Sequence, residues 1–235
     1  MSLANTPTNM APQQRTRIKM CGFTREADVL AACALGADAI GFVLYPPSPR
    51  SVSIERAAEL ARLLPSFVTP VLLFVNETPE RIVAACAAVP GALLQFHGDE
   101  SAEFCAAMTL RTGRPHLKAA RIPLSELHDF DLLEFAAQHH AANALLLDAH
   151  VDGYGGGGKT FHWSLLPPNV NAHLVLSGGL TPANVGDGIR ALRTHGLSLA
   201  VDVSSGIEAG KGLKDADKMR QFVQAVRTAD NTLSL

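Results

Sequence analysis

From Arg17 onward, eight short apolar runs alternate with longer amphipathic stretches, and this rhythm restricts the chain to very few architectures. The expected strands are Arg17–Cys21, Ala37–Tyr45, Pro70–Asn76, Ala92–His97, His116–Arg121, Ala144–Asp148, His173–Ser177 and Leu199–Val203. Parallel strands joined by crossover helices are covered on both faces, so they should be apolar almost throughout; ADAIGFVLY, PVLLFV, ALLLDA and HLVLSGG are. Helix starts are marked by Thr24, by Ser53, and by Thr78 and Thr181, each of the last two followed by a Pro; Gly36 and Gly113 mark helix stops. An open doubly wound sheet would share the alternation, but the count of eight favours closure into a single-domain (β/α)8 TIM barrel. The length of 235 residues suits one such barrel over residues 17–235, with 1–16 expected to be a disordered tail.

Composition narrows the function classes. The chain is 47% hydrophobic and 18% charged, enough to bury a large core. Its net charge of −2, without a basic cluster, gives little footprint for nucleic acid or an anionic membrane surface, so a small-molecule partner is expected. Cys21, Cys33, Cys86 and Cys105 are widely spaced, which suits a reducing cytoplasm and suggests neither a disulfide framework nor a thiolate zinc site. No signal-peptide core and no apolar run of membrane-spanning length is found. The nine histidines show no metal-ligand spacing, and His139 and His140 read as an exposed helix end, so neither metal nor cofactor is expected. A GxSxG elbow and a GxGxxG fingerprint are also missing.

In a barrel of this kind the active site lies where strands end. Several expected strands end in polar or reactive groups: Cys21, Asn76, Gln95 with His97, Asp148, Ser177, and Asp202 with Ser204 and Ser205. Any one of these could be an ordinary rim residue; their recurrence marks one end of the barrel. Side chains alternate along a strand, so Lys19 lies one layer below Cys21, where a buried ammonium needs Asp202 or Asp148 as partner and would favour a thiolate. A lone Cys is equally a small core residue, and that is the reading for Cys33, Cys86 and Cys105 in their Ala-rich helices. The segments LVLSGGL and VDVSSGIEAGKG, after the seventh and eighth strands, suit an anion cradled by backbone N–H groups, although each glycine pair alone could be a tight turn. After the sixth strand, AHVDGYGGGGKTF is a long Gly-rich connection of the functional-loop type, followed by a possible short helix at Trp163–Leu166.

Taken in order, KMCGFT, GADAIGFVLYPPSPRSV, FVNETPE, QFHGDE, LLLDA, YGGGGKTFHWS, LSGGLTPANV and AVDVSSGIE resemble the phosphoribosylanthranilate isomerases over nearly all of Arg17 to Arg227. That resemblance implies an Amadori rearrangement, in which the aminoaldose N-(5-phosphoribosyl)anthranilate becomes 1-(2-carboxyphenylamino)-1-deoxyribulose 5-phosphate in tryptophan biosynthesis. By the family pattern Asp148 is the general acid at the furanose ring oxygen and Cys21 the general base at C2′. These two groups need opposite conditions: a carboxyl that keeps its proton, although such a group in water ordinarily loses it near about 3.9, and a thiol that gives its own up, although a free one does so only near about 8.5. Arg50 matches the arginine that holds the anthranilate carboxylate, its planar fork suiting that group. His97 and Asp202 match mouth residues that touch the sugar hydroxyls or order the site. Gly178, Gly179, Ser205 and Gly206 match the phosphate cradle, with Ser177 and Ser204 among the substrate contacts, and Asp152–Thr160 would close as a lid. Phe23, His162 and the four glycines Gly155–Gly158 depart from the family pattern without removing a catalytic group. The competing readings are another sugar-phosphate enzyme on the same barrel and a barrel that binds a phosphorylated ligand without turnover.

Overall fold

In the computed structural model, which describes residues 15–123, 130–149, 163 and 166–232, the eight strands close. They are β1 (Arg17–Cys21), β2 (Ala39–Val43), β3 (Thr69–Phe74), β4 (Leu93–Phe96), β5 (His116–Ile122), β6 (Ala144–Ala149), β7 (His173–Leu176) and β8 (Ser198–Val203). Every neighbouring pair is parallel, and β1 pairs with β8 through Lys19 opposite Asp202, which seals the ring. The helices are α1 (Glu26–Ala34), α2 (Ile54–Ala61), α3 (Pro79–Ala88), α4 (Ala102–Thr112), α5 (Leu132–Gln138), α6 (Val185–Leu192) and α7 (Ala216–Thr232). A short antiparallel pair, β9 (Glu208–Gly210) and β10 (Leu213–Lys214), follows β8.

Strand parity sorts the side chains into two environments. Ile18, Met20, Ile40, Phe42, Leu72, Phe74, Leu94 and Phe96 turn outward and join the helices in one continuous core, all without exposure. Leu117, Ala119, Ala144, Leu146 and Val175 point inward and fill part of the interior. Cys21, Val43, Leu73 and Val75 form a second inward cluster nearer the carboxyl ends of the strands.

Helix starts follow local chemistry, with two departures from the sequence expectations. The hydroxyls of Ser53 and Ser101 accept from Arg56 N and Phe104 N, and Gly113 ends α4 in the left-handed region at φ 66°. Thr24 does not cap α1: Arg25 takes that place, and Thr24 Oγ1 donates to Gly212 O at 3.0 Å. Nor does a helix start at Pro182, because Asn184 closes a turn, accepting from Thr181 N at 2.8 Å and donating to Gly179 O at 3.0 Å, before α6 begins.

Of the expected tail, residues 1–14 lie outside the described residues, but Thr16 belongs to the folded body. It is buried, its N and Oγ1 bonded to Asp230 on α7 at 3.0 and 2.6 Å, and Arg193 joins the same group. His139 also differs from its expectation as an exposed residue: it is buried against the Phe135 ring, centroids 4.4 Å apart, while His140 is exposed. Cys86 and Cys105 are buried and Cys33 is half-buried. Among the described residues no helix is long and apolar enough to cross a membrane.

Candidate active site

Residues at odd positions of β1 and β4 and even positions of β6 and β8 turn into the barrel, which brings Lys19, Cys21, Gln95, His97, Asp148 and Asp202 inside or onto its rim. Buried polar groups require partners, and apart from the Gln95 carbonyl oxygen these have them.

Lys19 Nζ donates to Asp202 Oδ1 at 2.7 Å, with both side chains 6% exposed, and Ser177 Oγ donates to the other oxygen, Oδ2, at 3.3 Å. Burial disfavours the Lys19 ammonium, but Asp202 and Cys21 outweigh it and hold Lys19 above its ordinary value. Cys21 lies above this pair. Burial pushes its thiol up; Lys19 and Lys214 pull it down while Asp202 adds to the rise, and the thiol ends above its ordinary value. The cation expected beside Cys21 is therefore present, yet desolvation of the sulfur prevails over it. Across the β1–β2 ladder Cys21 faces Gly41, where a Cβ would stand 2.6 Å from Sγ. Gly41 is thus the space that the sulfur occupies.

On the other side of the mouth, His97 Nε2 lies 2.9 Å from Asp148 Oδ2, and His97 Nδ1 lies 3.0 Å from the amide of the fully buried Gln95. Gly178, in the left-handed region at φ 76°, passes so close that a Cβ there would be 2.5 Å from Ala149 N and 2.9 Å from Asp148 Oδ1. Each of the two expected proton-transfer residues is therefore flanked by a glycine on the next strand or loop.

Arg50 reaches the same end but is not a free fork. Its Nε and Nη2 donate to Glu208 Oε1 and Oε2, each at 2.7 Å, so the bidentate face expected to receive a carboxylate already holds one from the protein. Among the described residues its Nη1 makes no hydrogen bond. Lys214 Nζ donates to Glu208 Oε1 at 2.8 Å and to Ser204 O at 3.1 Å. Burial pushes Glu208 up, but hydrogen bonds from Arg50 and Lys214 bring it below the usual carboxylate range. For Lys214, burial outweighs Glu208 and Cys21 and lowers it.

The glycines after β7 and β8 come together. Gly178 and Gly179 are both left-handed, and Gly206, in a 3-10 turn over Ser205–Ile207, packs so tightly on Leu180 O that a Cβ would collide with it. Of the serines expected among the substrate contacts, Ser177 Oγ donates to Asp202 and Ser204 Oγ to Cys21 O at 3.0 Å. The expected lid at Asp152–Thr160, with Gly155–Gly158 and His162, lies outside the described residues; of the possible helix after it, only Trp163 and Leu166 are described.

Sequence reasoning did not pick out Glu208, Lys214 or Gly41, nor the brace just beyond His97. There Glu100 accepts from Asn76 N at 2.8 Å and Gly98 N at 2.9 Å, while Lys118 Nζ donates to Glu100 Oε2 at 2.9 Å and Gly98 O at 2.7 Å. This buried pair ties together the ends of β3 and β4. A signal for Glu208 was present: EAGKGLK places Gly between two short polar arms, as a hairpin turn does. Gly41 gives no signal by itself, because its role depends on the β1–β2 register.

Among the described residues no group of three or more His, Cys, Asp or Glu is placed to hold a metal ion. Residues 18–225 match the family model described as N-(5'phosphoribosyl)anthranilate (PRA) isomerase. The N-(5'-phosphoribosyl)anthranilate isomerase of Methylibium petroleiphilum is 59% identical over 216 residues, covering 92% of this chain and 96% of its own. That of Dechloromonas aromatica is 56% identical over 219 residues, covering 93% and 100%. Among solved structures, phosphoribosyl anthranilate isomerase from Thermotoga maritima superposes with a TM-score of 0.76 at 39% identity, covering 91% of this chain and 99% of that one. Another, a phosphoribosyl anthranilate isomerase in complex with reduced 1-(o-carboxyphenylamino)-1-deoxyribulose 5-phosphate, gives a TM-score of 0.73 at 36% identity with the same coverage.

Proposed function

Since the chain belongs to the N-(5'-phosphoribosyl)anthranilate isomerase family and is an isomerase of tryptophan biosynthesis, we propose that Asp148 and Cys21 carry the two proton transfers of its Amadori rearrangement. Asp148 gives a proton to the furanose ring oxygen as the C1′–O bond breaks, and the anilino nitrogen supplies the electron pair that forms the iminium. The positive nitrogen acidifies the C2′–H bond. Cys21, as thiolate, takes that proton, and the electrons pass to the nitrogen to leave an enolamine, which tautomerises to the ketone. Lys19 and Lys214 stabilise the thiolate from two sides, against the burial that opposes it.

The observation that supports this division of labour is placement: a thiol at the end of β1 and a carboxyl at the end of β6, both turned inward at the carboxyl rim of one closed barrel. The Nη1 corner of Arg50 would meet the anthranilate carboxylate, and the backbone of Gly178, Gly179, Ser205 and Gly206 would receive the phosphate. Four free thiols fit a reducing cytoplasm. Family membership sets aside both the non-catalytic barrel and other sugar-phosphate enzymes.

The test is steady-state turnover, followed as loss of anthranilate fluorescence, for wild type, Cys21→Ala and Asp148→Asn. Each variant should lose about 10²–10⁴-fold in kcat while keeping the wild-type circular dichroism spectrum. Two folded variants with near-normal turnover would refute the assignment.

A further inference from the structure

Gln95 has no exposure, lies one layer below His97 on the inward face of β4, and directs its amide nitrogen at His97 Nδ1 from 3.0 Å. The other ring nitrogen, Nε2, faces Asp148 Oδ2 at 2.9 Å. The three side chains form a line from the barrel interior to the rim. An N–H group aimed at Nδ1 needs a lone pair there, so the neutral ring must carry its hydrogen on Nε2, pointing at Asp148. While the amide keeps this orientation, a second proton on Nδ1 would set two donors face to face. A proton added to the His97–Asp148 couple is left with one place to go, the carboxyl.

We infer that Gln95 is a positioning residue which sets the tautomer of His97, keeps the ring from becoming imidazolium, and so directs the proton of the couple to Asp148. The inference rests on Asp148 being the acid of the reaction, and it supplies what that role lacks. A carboxylate facing a histidine free to take a second proton would form an ion pair and have nothing to give to the ring oxygen. Gln95 removes that outcome without touching substrate. Its carbonyl oxygen is buried with no hydrogen-bond partner among the described residues, while its amide nitrogen meets the ring.

The experiment compares wild type with Gln95→Glu, which preserves shape but offers Nδ1 an acceptor. In protein carrying isotope-labelled histidine, the ring nitrogen resonances of His97 should show an unprotonated Nδ1 and a protonated Nε2 in wild type, and a protonated Nδ1 in Gln95→Glu. With the wrong tautomer in place, kcat should fall by about 10²-fold or more while KM changes little. A purely packing role would leave the Nδ1 signal unmoved. A protonated Nδ1 in wild type, or Gln95→Glu turning over at the wild-type rate, would overturn the inference, and the wild-type spectrum decides even if the variant does not fold. Full activity of Asp148→Asn would instead refute the acid assignment itself, while the spectrum still judges the tautomer.

Discussion

Replacing Gly41 by Ala should disable the thiol without altering any reactive group. Gly41 is in ordinary strand conformation, so the backbone accepts alanine, but the added Cβ would stand 2.6 Å from Cys21 Sγ, 3.1 Å from its Cα and 3.2 Å from its Cβ. Carbon and sulfur need at least about 3.5 Å, so the sulfur must retreat by roughly 1 Å. A displacement of that size at a reacting atom lowers the rate by about 10²-fold. Overpacking of this kind costs about 1–3 kcal/mol, which for a domain of this size lowers Tm by roughly 2–12 °C. The fluorescence assay should therefore show a reduced kcat with KM nearly unchanged, and calorimetry the smaller Tm. A double-mutant cycle isolates the cause: in a Cys21→Ala background, Gly41→Ala should reduce activity no further, because the displaced group is already gone. If Gly41→Ala keeps wild-type kcat, or if its effect is the same with and without the Cys21 sulfur, the sulfur's position is not what Gly41 secures.

Four other outcomes can be checked. Because burial holds the Cys21 thiol above its ordinary value, kcat/KM should climb with pH through the range in which a free thiol ionises, without levelling off there; a plateau at neutral pH would show a thiolate already formed. Removing the Glu208 carboxylate by Glu208→Gln should loosen Arg50 and raise KM by about tenfold with less effect on kcat, since the fork is held at 2.7 Å on both arms. Lys118→Met leaves Glu100 buried without its cation and should destabilise the protein by about 3–5 kcal/mol in urea unfolding. Burial lowers His139 from 6.5 to about 4, so the folded state favours the neutral ring; the stabilisation is complete above 6.5 and is lost as pH falls toward 4. His139→Leu should flatten that part of the acid-unfolding curve, a difference of order 3 kcal/mol.

The barrel was legible because parity and apolar continuity are local properties: each of the eight expected strands is observed, with boundaries shifted by a few residues. That Lys19 and Cys21 share a face, as do Gln95 and His97, was legible for the same reason. What a side chain meets across the barrel depends on register and closure, which no single segment carries. Arg50 reads as a free fork in PPSPR, and only the return of β9 brings Glu208 against it. Lys118 reads as an interruption in an apolar strand until β4 and the start of α4 supply Gly98 and Glu100. Thr24 and Thr181 matched the capping pattern, but a distant partner, Gly212, took the Thr24 hydroxyl, and the local Asn184 turn took the Thr181 N–H.

The bonds from Thr16 to Asp230 place the entry to the first strand against the last helix, at a backbone N–H to carboxylate distance of 3.0 Å. Thr16 and α7 are in effect the two sides of a narrow gap. Bridging Thr16 and the end of α7 through a short peptide, and opening the chain at another connection away from the carboxyl ends of the strands, should therefore yield a circularly permuted enzyme that folds and turns over substrate.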